Sequence, residues 1–97
     1  MSNHDADNYY VSEVKIQNLK GLHARASAAF VKCACKFDAE VLVAREGEIV
    51  GGTSIMGLMM LAAGIGSTIT VETRGPEAKE ALSAIVDLIE NKFGEDQ

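Results

Sequence analysis

Apolar residues in this chain alternate between two spacings, and each switch marks a change of element. From Glu13 to Gln17 they recur at every second position, in a strand expected from about Tyr10 to Gln17 with Val14 and Ile16 facing the core. From Ala24 to Lys36 they recur every three or four residues. Ala26, Ala29, Phe30, Cys33, Ala34 and Phe37 then line one helix face. Alternation returns from Ala39 to Arg45, through Val41 and Val43. Glu46-Gly47-Glu48 reads as a turn, and Ile49-Val50 as the second arm of a hairpin. Ser54 is placed to cap a short helix from Ile55 to Ala63, which Gly64-Ile65-Gly66 ends. Ser67 to Thr73 is a last strand with Ile69 and Val71 inward. Pro76 then opens a final helix at its first position, where a missing N–H costs nothing. Ala78, Ala81, Leu82, Ile85, Leu88 and Ile89 form the apolar stripe of that helix, and Glu77 and Lys92 suit its two dipole ends. The order βαββαβα predicts an α+β domain, a four-stranded antiparallel sheet with three helices on one face. Strand order stays open.

Ninety-seven residues make one domain. Residues 1–8 are polar and acidic and are expected to be a disordered head. The domain is expected over residues 9–94, and residues 95–97 form a tail. A net charge of −5 argues against a nucleic-acid partner, because phosphate backbones demand a basic face. No apolar run approaches a membrane span and no secretory leader is evident, so the expected location is cytoplasmic. Cys33 and Cys35 point to different helix faces and lack the further ligands a zinc site needs. Cys33 reads as packing and Cys35 as a partly exposed thiol. Neither a metal nor a cofactor is expected.

Gly21-Leu22-His23-Ala24-Arg25 places His23 where a strand has ended and a helix begins. Free backbone N–H groups and the positive end of the helix dipole favour an anion there. Arg25 can fork onto phosphate oxygens. Imidazole can carry a phosphoryl group covalently. The plainer alternative is a half-exposed capping histidine beside a solvated arginine.

Gly47 to Ser54 nearly spells a phosphate-binding loop. It lacks the lysine before the last hydroxyl residue, because Thr53 stands there. Ser54 keeps its role as an N-cap in any reading. The short helix carries more apolar residues than one face can bury. Leu58 and Leu61 are the core candidates, and Ile55, Met56 and Met59 are expected to be at least partly exposed. These three form either a loosely packed helix or a partner-docking patch.

The stretch from Gly21 to Arg25, followed by Ala28-Ala29-Phe30-Val31-Lys32, resembles the active-site signature of the HPr family. This is the family of histidine-containing phosphocarriers of the bacterial phosphoenolpyruvate-dependent phosphotransferase system. Gly52-Thr53-Ser54-Ile55-Met56-Gly57-Leu58-Met59-Met60-Leu61-Ala62-Ala63 is similar to the family's second signature, the regulatory serine and its helix. Matching elements run from about Glu13 to Phe93. The Gly-Thr-Ser-Ile-Met-Gly version looks most like alphaproteobacterial members, which often serve regulatory or nitrogen-related branches.

The resemblance implies an open-faced β-sandwich and a phosphocarrier. His23 would accept a phosphoryl group on Nδ1 from phosphorylated enzyme I, itself charged from phosphoenolpyruvate. It would pass the group to a histidine of an enzyme IIA domain. Arg25 would stabilise the phosphoryl oxygens. Ser54 would be the target of an HPr kinase/phosphorylase, and Ile55, Met56 and Met59 would dock partners. Such a protein carries a group rather than turning over a free substrate, and a monomer is expected. Two departures stand out. Ala26 occupies the place of the usual proline, and Gly57 that of a frequent lysine. Ser27 adds a hydroxyl that is a candidate phosphoryl contact. Two rival classes stay open at this point: a purely regulatory module controlled through Ser54, and a small-ligand sensor.

Overall fold

A computed structural model of the chain describes residues 8–97. The expected disordered head therefore falls, but for Asn8, outside the described residues. The elements are β1 (Tyr9–Lys15), α1 (Ala24–Ala34), β2 (Glu40–Arg45), β3 (Glu48–Gly51), α2 (Ile55–Met60), β4 (Thr68–Arg74) and α3 (Ala78–Glu90). A 3-10 turn at Lys92–Gly94 follows. The strands form one antiparallel sheet in the order β1-β4-β2-β3.

Period-two alternation fixes the register. Val14 pairs with Ile69 and Val71 with Val43, so these buried residues share one face. The helices lay their stripes on that face. α1 contributes Ala26, Phe30 and Ala34, α2 contributes Leu58, and α3 contributes Ala81, Ile85 and Ile89. The other sheet face carries the exposed Tyr9, Val11 and Ile49. Between β2 and β3, Glu46 and Gly47 both take positive φ, the conformation a two-residue hairpin turn requires.

Element ends depart from the sequence spacing where tertiary contacts decide them. α1 stops at Ala34 rather than Lys36, because Lys36 and Phe37 bond back three residues in tighter turns. α2 stops at Met60, and Ala62 turns out of the helix at φ 53°. Pro76 lies in a turn before α3, not at its first position. Gly75, at φ 128°, accepts from Ala78 N–H, and Glu77 is the cap residue. The Glu77 side chain accepts from the Asp38 N–H at 2.7 Å. Lys92 lies beyond the last turn of α3, so it does not serve that helix end.

Candidate functional site

The loop before α1 is held on both sides. Gly21 sits at φ 64°, and a Cβ there would lie 2.3 Å from the Ala63 carbonyl oxygen. Only glycine meets both conditions. Next to it, Leu22 is buried and its N–H donates to the Ala63 carbonyl at 2.9 Å. Asn18, fully buried, donates from Nδ2 to the Gly21 carbonyl at 2.9 Å.

This clamped loop delivers His23 to the cap position of α1 in an extended conformation. Its side chain makes no capping hydrogen bond. The first-turn N–H groups of α1 have no partner within the helix and carry the positive end of its dipole. Arg25, in that first turn, is exposed. His23, Arg25 and Lys20 all line one open cavity of about 440 Å³. Two cations and a ring nitrogen therefore share, beside a helix start, a cavity that Glu95 and Asp96 also line, and the basic groups there can take a phosphoryl group.

Sequence reasoning missed Glu95. The 3-10 turn brings the last residues back against the loop, so that Gly94 to Gln97 line the same cavity. His23 Nε2 lies 2.6 Å from Glu95 Oε2. Asn18 Nδ2 also donates to Glu95 Oε1, at 3.0 Å. Partial burial pushes the Glu95 carboxyl up. The hydrogen bonds from Asn18 and His23, with the electrostatic influence of His23 and Arg25, outweigh that and hold it below the usual carboxylate range. No local pattern signals this contact, because 72 residues separate the two side chains.

Ser27 does not take the part expected of it. It is fully buried, and its hydroxyl donates to the Leu22 carbonyl at 3.1 Å. Its side chain faces inward, where it braces the loop. Ala26 is also fully buried, within the first turn of α1.

Ser54 caps α2, accepting from the Gly57 N–H at 2.9 Å. A Cβ at Gly57 would stand 3.0 Å from the Ser54 oxygen and 3.1 Å from Val50, so this cap is fitted to glycine. Leu58 and Leu61 are buried, while Ile55, Met56 and Met59 are exposed, and Met60 joins them. α2 packs on α1, yet none of these residues lines the His23 cavity. Cys33 packs against the core, where burial pushes its thiol up, and Cys35 is exposed. Among the described residues no cluster could hold a metal ion, and no helix is long and apolar enough to cross a membrane.

A family model described as the PTS HPr component phosphorylation site matches residues 11–91. The chain belongs to the HPr family. It is 53% identical to phosphocarrier protein HPr of Cupriavidus necator, over 86% of this chain and 93% of that one. It is 49% identical to phosphocarrier protein HPr of Pseudomonas aeruginosa, again over 86% of this chain and 93% of that one. Among solved structures it matches HPr from Thermoanaerobacter tengcongensis with a TM-score of 0.87 and 40% identity, over 91% and 99% of the two chains. A second structure from that organism, described as an HPr dimer, matches at a TM-score of 0.72 and 43% identity, over 84% and 94%. The sheet and its helices are thus the open-faced sandwich of HPr, and the function is that of an HPr phosphocarrier.

Proposed function

We propose that His23 is the residue that carries the phosphoryl group. The observation behind this is the pairing of an uncapped helix start with Arg25 and Lys20 around one imidazole. The donor is phosphorylated enzyme I, charged from phosphoenolpyruvate, and the acceptor is a histidine of an enzyme IIA domain. Nδ1 attacks phosphorus, and the bond from phosphorus to the donor breaks. The N–H groups opening α1 and the guanidinium of Arg25 stabilise the equatorial oxygens, so transfer relies on positioning and charge. No metal or cofactor is needed, and no free substrate is turned over. The protein acts in the cytoplasm.

Ser54 is the regulatory site, open to an HPr kinase/phosphorylase. Its hydroxyl is exposed at the start of α2, where a phosphate finds the favourable dipole end and leaves the fold intact. Ile55, Met56 and Met59 form the docking surface, and phosphate on Ser54 would repel an acidic partner there.

The test is to mix the chain with enzyme I and labelled phosphoenolpyruvate. Acid-labile label that disappears in His23→Ala is the expected result. Label that survives the substitution would refute the assignment.

A further inference from the structure

The last residues are fastened over His23 by several independent contacts. Lys92, Phe93 and Gly94 hold consecutive φ values of 59°, 56° and 80°. Left-handed backbone is costly for Lys and Phe, and it persists only where the surroundings enforce it. Phe93 is buried in the core and anchors the turn. This turn reverses the chain after α3 and brings Glu95 to the imidazole. A second tie follows, in which the Leu19 N–H donates to the Gln97 carbonyl at 3.0 Å. The carboxylate is shared between two donors, Asn18 at Oε1 and His23 at Oε2. Asn18 is itself fully buried and fixed on the Gly21 carbonyl.

We propose that Glu95 is a positioning residue, which keeps the imidazole proton on Nε2 so that Nδ1 holds the lone pair that takes up phosphorus. This rests on the reading of His23 as the carrier. An ionised carboxylate can only accept, so the 2.6 Å contact makes Nε2 the donor. In a neutral ring the other nitrogen is then bare. Phosphoryl uptake needs no proton movement. The Nδ1 lone pair forms the new P–N bond, and the electrons of the broken bond leave with the donor. The ring becomes cationic, with hydrogen on Nε2 and phosphorus on Nδ1, and the Glu95 carboxylate offsets that charge. On release the P–N pair returns to Nδ1 and the neutral ring is restored. The contact thus favours loading, and unloading gives up that charge compensation as the ring returns to neutral.

The experiment compares the native chain with Glu95→Gln, each labelled with 15N-histidine, at a pH where the ring is neutral. His23 signals are assigned by their absence in His23→Ala. The native protein should show the Nε2–H form. Glu95→Gln should show an added Nδ1–H population, because an amide can donate to Nε2 as well as accept from it. Uptake from enzyme I should slow on the order of tenfold, the scale seen for partners that orient a metal-bound imidazole. An unchanged tautomer ratio, or an unchanged uptake rate, would overturn the proposal. Failure of the native chain to take up label from a competent enzyme I would instead refute the carrier reading, and the tautomer measurement would still stand.

Discussion

α1 and α2 both begin at an extended cap residue, and they treat their free N–H groups in opposite ways. At α2, the Ser54 hydroxyl accepts from the third residue of the helix, Gly57. At α1, His23 makes no capping bond and its ring reaches across the chain to Glu95. A side-chain cap contributes about 1 kcal/mol to stability. α2 uses its start in that way. α1 forgoes it, and on the proposed reading its donors and dipole serve an incoming anion. Within one small fold, the same position holds a capping serine at one helix and an uncapped histidine at the other.

Exchanging the cap residue breaks this contrast most completely. His23→Ser should take labelling to background. The midpoint of urea unfolding should not fall, because serine can cap α1 as Ser54 caps α2. Arg25→Ala should slow phosphoryl uptake on the order of 100-fold, with Arg25→Lys intermediate. Arg25 is exposed, so far-UV circular dichroism and the unfolding midpoint should stay in place. Gly21→Ala should destabilise the protein by about 2–3 kcal/mol in urea unfolding, since it adds strain at positive φ and a clash with Ala63. Ser54→Ala should cost about 1 kcal/mol and leave labelling by enzyme I unchanged, which separates the two helix starts cleanly.

A last, smaller effect concerns acid. Glu95 is held below the usual carboxylate range in the folded protein. Its stabilising contribution is therefore complete above the ordinary glutamate range and is lost as the pH falls through the lowered folded value. The Leu19 amide resonance, which reports the tie to Gln97, should shift in that acid window and not near neutrality. Glu95→Gln should remove the shift.

The helix stripes and strand alternations were legible because they follow from local periodicity. Phe30, Val43, Ile69 and Ile85 are buried where their spacing puts them. The ends were less legible. Ala62 leaves α2 early, and Pro76 precedes α3 because Gly75 turns the chain first. These endings depend on partners distant in sequence. The same holds at the site. His23 and Arg25 could be placed from their position at a helix start. The inward place of Ser27 is not legible, because the carbonyl its hydroxyl bonds, Leu22, becomes available only once the loop is folded. Glu95 could not be seen, since its contact is made by a left-handed turn at the far end of the chain.

The most direct measurement is 31P NMR of 15N-histidine-labelled protein charged by enzyme I and phosphoenolpyruvate. Phosphorus coupled to Nδ1 of His23 is the expected result. Phosphorus on Nε2, or on any other residue, would contradict the assignment of this helix start as the carrier site.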